Sequence, residues 1–231
     1  MASSVVFEEQ IEVPFFRSLA DFRVWATSDD FPEKVRVDFL AGRIEADMSP
    51  EDLFSRGSLK REIARVLGDI LKATSAGYLF SDRTRVSCPD ADVSVEPDIV
   101  FVSEDSLETG RVRLVPKATR EPDRFVEVEG PPDLIVEIVS DSSQTKDTQR
   151  LPAAYYRAGV PEFWLIDARG EELFFQIHRP GASAYEPAPR DAEGFQQSAV
   201  FATWFRLTRR RNDRGRWTFD LAEKSVSAAS D

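Results

Sequence analysis

Two acidic residues interrupt apolar runs that otherwise read as buried β-strands. Asp98 precedes Ile99-Val100-Phe101-Val102, and Glu137 lies inside Leu134-Ile135-Val136-Glu137-Ile138-Val139. A carboxylate taken out of water without a partner is costly, so each of these needs a metal, a cation or a raised pKa. Side chains alternate along a strand, which sets Asp98 on one face with Val100 and Val102, and Glu137 on one face with Asp133, Ile135 and Val139. On neighbouring strands the two carboxylates would converge on one divalent ion. The rival reading has Asp98 ending its strand in solvent and Glu137 paired with an arginine. These residues alone leave both readings open.

The elements that must position the two acids follow from periodicity and punctuation. Residues 14–27 predict a short helix with Ser18 as its cap, and residues 35–48 a β-hairpin about a turn containing Gly42. Ser49 and Pro50 offer a helix start. From Leu59 to Lys72 the residues Ile63, Val66, Leu67, Ile70 and Leu71 recur at spacings of three and four, the pattern of an amphipathic helix. Strands are expected at 77–81, 84–88 and 97–103, then a polar excursion over 104–132 with one or two short strands of its own. The run 133–140 predicts a central buried strand. A helix should fill at least the second half of 142–158, followed by strands at 162–167 and 173–178. That order predicts a mixed α/β sheet rather than a sandwich or a bundle.

Composition limits the partners. The chain has 231 residues, 41 acidic against 30 basic side chains and a net charge of −11, with Cys88 and His178 single of their kinds. Those counts exclude an internal disulfide framework, a multi-cysteine zinc site and a His-rich metal centre. No apolar stretch approaches the roughly 20 residues that span a bilayer, and no basic segment precedes an apolar core at the N-terminus, so the expected compartment is the cytoplasm, with no membrane partner. The acidic balance argues against a protein that coats nucleic acid, yet residues 206–216 carry six Arg and one Asp. Within that run Asn212-Asp213-Arg214-Gly215 is turn chemistry, which predicts a solvated hairpin. Arg209, Arg210 and Arg211 could meet phosphate there, or the acidic surface of a second subunit in a homodimer. His178, Cys88 and the pairs Tyr155-Tyr156 and Phe163-Trp164 read as packed residues, and Asp133 as a strand opener. No Walker-type phosphate loop or Rossmann glycine fingerprint is present.

Several segments together resemble a large bacterial family called putative restriction endonucleases. They are Glu96-Pro97-Asp98-Ile99-Val100-Phe101-Val102, Pro132-Asp133-Leu134-Ile135-Val136-Glu137-Ile138-Val139-Ser140, and Tyr155 with Ala158-Gly159-Val160-Pro161-Glu162-Phe163-Trp164-Leu165-Ile166-Asp167. The hairpin Asp38-Phe39-Leu40-Ala41-Gly42-Arg43-Ile44 followed by Met48-Ser49-Pro50 agrees with them, so the resemblance runs from about residue 17 to residue 180. It implies a restriction-endonuclease-like core: a mixed central sheet flanked by helices, here with an N-terminal helix and β-hairpin and extra C-terminal strands. One domain over 1–223 is expected, with the core at about 17–180, a C-terminal β extension at about 181–223 and a flexible tail at 224–231.

The resemblance also implies roles. Asp98 and Glu137 would hold Mg²⁺ or Mn²⁺ with the main-chain carbonyl of Ile138, and Asp38 would be an additional acid approaching from the hairpin. Magnesium takes hard oxygen ligands and keeps several waters. It would polarise a phosphodiester and acidify a bound water, which implies an endonuclease cleaving DNA. Two departures matter. The superfamily's lysine two residues after the Glu is Val139 here, and the helix position used instead in this family is Leu151. Lys146 and Arg150 flank it and are the expected substitutes, four apart and so on one helix face. The family's helical His is also missing, with Lys60 roughly in its place. The alternative is therefore an inactive relative serving as a binding or assembly module. A third reading, an unrelated hydrolase with paired acid and base carboxyls, needs one raised pKa and no metal.

Overall fold

Helix α1 (Leu19–Ala26) starts where the Ser18 hydroxyl accepts the Asp21 N–H, as the sequence predicts. Its buried side chains Leu19, Phe22 and Trp25 recur every three residues and pack on Val35, Val37 and Phe39. The last two lie on β1 (Arg36–Leu40), which turns through Ala41 and Gly42, both at positive φ, into β2 (Arg43–Asp47). Two left-handed residues make the tight hairpin turn whose twist matches the flanking strands. The computed structural model describes residues 13–32, 35–47, 51–117 and 122–225, so Ser49 and Pro50 lie outside the described residues. Asp52 caps a wide, π-type turn over Leu53–Ser58 by accepting the N–H groups of Phe54 and Ser55. That turn leads into α2 (Leu59–Thr74), whose buried face is Leu59, Ile63, Val66, Leu67 and Leu71.

The remaining elements run in order β3 (Gly77–Ser81), β4 (Arg85–Cys88), β5 (Val93–Val95), β6 (Ile99–Ser103), α3 (Glu104–Glu108), β7 (Arg113–Pro116), β8 (Phe125–Glu129) and β9 (Leu134–Ile138). After β9 come a π-type turn over Lys146–Arg150, α4 (Leu151–Ala158), β10 (Glu162–Asp167), β11 (Phe174–Pro180), β12 (Tyr185–Pro187), β13 (Gln196–Ser198), β14 (Thr203–Arg211) and β15 (Trp217–Ser225). Helical backbone runs unbroken from that turn into α4, so Pro152 lies inside it, where its missing N–H interrupts the hydrogen-bond ladder beside the π-type turn.

The strands form three sheets. One has the order β2-β1-β5-β4-β8-β7, the second β12-β11-β10-β9-β6-β3, and the third β13-β14-β15. The first two are mixed: β4 runs parallel to β8, and β9 parallel to β10 through the α4 crossover, while their other pairs are antiparallel. The chain crosses from the second sheet to the first at Asp82-Arg83, both at positive φ, between β3 and β4. The second sheet is the middle layer. Ile99, Leu134, Val136, Ile138, Trp164 and Ile166 face α2 and Phe205, Leu207 and Leu221 of the β14–β15 hairpin. Val100, Val102, Ile135, Phe163 and Leu165 face Leu151, Ala154 and Tyr155 of α4 together with Val86, Val95 and Val128 of the first sheet. Burial on both faces explains why β9 and β10 are nearly continuous apolar runs. The fold is mixed α/β with mixed sheets flanked by helices. No helix among the described residues is long and apolar enough to cross a membrane.

The arginine run forms the end of a hairpin, with Asn212–Gly215 as its turn. β15 continues through Lys224, which pairs with Trp204 and with Asp191, so the strand outlasts the expected start of the tail; residues 226–231 lie outside the described residues.

Candidate active site

β6 and β9 are antiparallel neighbours in the register Ile99↔Val136. One step further sets Asp98 opposite Glu137, on the face that carries Val100 and Ile135. Directly opposed residues hold their Cβ atoms about 5 Å apart. Both acids are buried, at 3% and 1% exposure.

Each acid has distinct partners. The Ile138 N–H donates to Asp98 Oδ2 at 2.8 Å, Arg56 Nη2 donates to Oδ1 at 2.8 Å, and Lys60 Nζ lies 3.3 Å from the same oxygen. Burial would raise the Asp98 pKa, but Arg56, Arg36, Lys60 and the Ile138 amide outweigh it and hold the carboxyl below its usual range. Glu137 accepts from the Tyr155 hydroxyl at 2.6 Å, and Arg36 Nη2 lies 3.7 Å from its other oxygen. Burial pushes Glu137 up to about 8, with the negative charges of Asp147 and Asp98 adding to it and Arg36 and Lys146 opposing.

The hairpin adds a third acid. Asp38 takes the Glu96 N–H at 3.0 Å and Lys146 Nζ at 2.8 Å, and Arg36 Nε stands 3.5 Å away. Burial again works against ionisation, yet Arg36 and Lys146 hold Asp38 below the usual range. Asp147, hydrogen-bonded by the Ser143 hydroxyl, is pushed up to about 6 by burial. Four carboxylates (Asp38, Asp98, Glu137, Asp147) thus share one region with four cations (Arg36, Arg56, Lys60, Lys146). A cleft of about 170 Å³ opens beside Asp98, and Arg36, Arg56, Lys60 and Arg83 are among its walls. At about 30 Å³ per water it has the volume of about six waters. Arg36 Nε and Nη2 and Arg56 Nε are buried with no hydrogen-bond partner among the described residues.

The expected site residues fall into two groups. Asp98, Glu137, Ile138, Asp38 and Lys146 come together. Arg150 does not: both its terminal nitrogens bond the Glu45 carboxylate on β2, which draws the guanidinium to the hairpin and away from the two central acids. Val139 and Leu151 are both core residues. The arginine run also divides. Arg209 donates to the carbonyls of Ala168 and Gly170 and lies over Trp217, and Arg211 covers the same ring and bonds the Gly215 carbonyl, so both side chains are committed to the hairpin's own fold. Arg210 is exposed, as are Arg214 and Arg216 in and after the turn. Asp133 takes the Ser103 N–H at 2.7 Å and the Ser106 hydroxyl, so it fastens β9 to the end of β6. His178 stacks on Phe163, and Cys88 is buried, its thiol pushed up to about 12 by that burial.

Sequence reasoning passed over Arg36, Arg56 and Asp147 as site residues and read Tyr155 only as core. Two had a local signal. Arg36 is two residues before Asp38 on a strand and shares its face. Arg56 is four residues before Lys60, the spacing of one helix face.

The donor set has the chemistry a divalent ion needs, two hard carboxylates and a carbonyl. The Ile138 N–H points toward β6, and in an extended strand the carbonyl of the same residue points the same way. Continuing the register sets Pro97 opposite Ile138, and proline has no N–H with which to take up that carbonyl. Among the described residues no cluster of three or more His, Cys, Asp or Glu is arranged to hold a metal, so water would complete the shell.

Mixed sheets flanked by helices give this chain the fold of a solved nuclease-like protein. The chain belongs to the Uma2 family, described as "Putative restriction endonuclease", whose profile matches residues 19–210. Among solved structures it is similar to "a putative nuclease belonging to DUF820" from Anabaena variabilis, with a TM-score of 0.58 at 19% identity over 80% of this chain and 90% of that one. Comparison with curated protein sequences gave no match.

Proposed function

We propose that the chain is a metal-dependent endonuclease that hydrolyses phosphodiester bonds in DNA, with Asp98, Glu137 and the Ile138 carbonyl as ligands of Mg²⁺ or Mn²⁺. The observation that carries this reading is the placement of Asp98 and Glu137 opposite one another, with Asp98 lining a cleft whose walls carry charges of both signs, Arg36, Arg56, Lys60 and Arg83 among acids. A bound ion would supply Lewis acidity and a water of lowered pKa. The side chains around it would do the rest. Arg36 and Arg56 would set guanidinium charge beside the two acids, where it would offset negative charge developing near the ion in the transition state. Lys146, raised in pKa chiefly by Asp38 against the cost of burial, stays protonated and holds the hairpin acid in place. Tyr155 fixes the rotamer of Glu137 through its hydroxyl.

Cleavage of supercoiled plasmid with Mg²⁺ or Mn²⁺, against a chelator control, tests the proposal. Asp98→Asn and Glu137→Gln should each abolish both cutting and calorimetric Mn²⁺ binding while the protein still folds. Unchanged Mn²⁺ affinity in both variants would refute the ligand assignment.

A second reading, a nuclease-fold binding or assembly module, draws on a specific observation: both acids are ion-paired with cations of the chain itself. Exposed Arg210, Arg214 and Arg216 give either reading a positive surface. If they neutralise duplex phosphates, replacing all three with Gln should flatten the slope of log affinity against log salt by about 0.9 for each phosphate released. A fall in solution mass without any DNA affinity in the parent would favour a homodimer joined through this hairpin.

A further inference from the structure

Arg56 makes one ion pair among the described residues, with Asp98 Oδ1 at 2.8 Å, and the charge of Glu51 acts on it from further off. Its Nε is buried and unpartnered. Lys60, which approaches the same oxygen at 3.3 Å, is anchored elsewhere by Glu51 at 2.8 Å and by Asp82. The other Asp98 oxygen is held by the Ile138 amide, part of the sheet itself. Of the groups on this carboxylate, Arg56 is therefore the one that can leave without breaking a strand or stripping a second ion pair.

Its local backbone suits such a move. Arg56 lies in the π-type turn Leu53–Ser58, which contributes no buried residue to the core, and Leu53 and Phe54 beside it are exposed at 78% and 41%. Single π-type turns are rare and recur at functional sites. The side chain also lines the cleft, so on leaving Asp98 it has space to enter.

We propose that Arg56 is an exchangeable occupant of the metal-ligand position: it neutralises buried Asp98 when no divalent ion is present and must release Oδ1 before one can bind. The inference rests on the metal-site reading above. It makes Arg56 a positioning residue whose removal improves metal binding, the opposite of what removing a ligand does. A charge 3 Å away also repels a cation through space, so the effect of contact has to be separated from the effect of charge. Arg83 provides that separation. It lines the same cleft with an exposed side chain, and no bond to either central acid is found among the described residues.

The test is calorimetric titration of MnCl₂ into the full chain without DNA, at one pH and ionic strength, with the thermal midpoint of each variant measured before and after metal. Arg56→Gln should tighten Mn²⁺ binding about fivefold or more, and should show a larger metal-induced rise in midpoint than the parent, because Asp98 has lost its resident cation. Arg83→Gln should stay within about twofold of the parent, and Asp98→Asn should lose binding. Equal or weaker binding in Arg56→Gln, with Asp98→Asn still dead, overturns the exchange and leaves the metal site standing. Equal tightening in Arg56→Gln and Arg83→Gln also overturns it, in favour of long-range repulsion. Mn²⁺ binding that survives Asp98→Asn overturns the metal-site reading itself. Should Arg56→Gln not fold, Arg56→Lys preserves the charge but not the planar reach, and parent-like affinity there, with no tightening, overturns the exchange.

Discussion

Glu137 and Glu162 occupy adjacent parallel strands, β9 and β10, and each is 1% exposed, yet the molecule treats them differently. Glu162 is saturated by neutral donors: Trp164 Nε1 at 2.8 Å, the Ser198 hydroxyl at 2.7 Å, and the N–H groups of Ala199 at 2.8 Å and Val200 at 3.3 Å. It ties the start of β10 to the loop after β13. Glu137 receives one hydroxyl, and full charges of both signs act on it, Arg36 and Lys146 against Asp147 and Asp98. Burial raises the pKa of Glu162 too, but four fixed donors oppose that rise and make the carboxyl a fastener. Competing charges leave the other open to change with pH, metal or substrate.

The largest expected effect is on the fastener. Glu162→Ala strands four donors, and at about 1–3 kcal/mol for each buried unsatisfied group the loss should be about 3 kcal/mol or more in urea unfolding. Glu137→Gln keeps the shape and removes a like-charge conflict, so its stability should hold or rise. Equal losses in the two variants would erase the contrast between the two glutamates.

Next in size is the pH dependence. Glu137 titrates near 8 in the folded chain, against an ordinary value of 4.5. Between those values the folded state binds the extra proton, so this group's contribution to stability falls as pH rises through the window. Asp38 and Asp98 act in the opposite sense: their contribution is present above the usual carboxylate range and is lost as pH falls below it. Glu137→Gln should therefore melt higher than the parent at about pH 8.5 and show a smaller difference at about pH 5, with the low-pH loss unchanged. Parallel pH profiles would show that Glu137 is ionised throughout.

The smallest effect separates the cluster from its rim. Arg150 pairs with Glu45 at a half-exposed position, and such pairs contribute about 0–1 kcal/mol. Arg150→Ala should cost no more than that and leave Mn²⁺ affinity unchanged, whereas Lys146→Ala, which uncovers buried Asp38, should cost several times as much. A loss of metal binding in Arg150→Ala would return that residue to the site.

Much of this arrangement was legible in the chain itself. Period-two and period-3.6 patterns gave β9 and α2 closely, because alternation and helical stripes are local consequences of which face must be buried. The acids at 98 and 137 stood out for the same reason, as polar residues at positions where an apolar side chain was due. Ser18, the Ala41-Gly42 turn and the Asn212–Gly215 turn were readable from short-range hydrogen bonding and backbone preference. Which cation meets which acid was not. Lys146 reaches Asp38 across 108 residues and Arg56 reaches Asp98 across 42, while Arg150, equally plausible on its helix face, turns to Glu45 across 105. A charged side chain carries no record of its partner in its neighbours along the chain. Pairing is decided by how β1, β2 and the turn before α2 are brought against the ends of β6 and β9, and that is settled only when the sheets close.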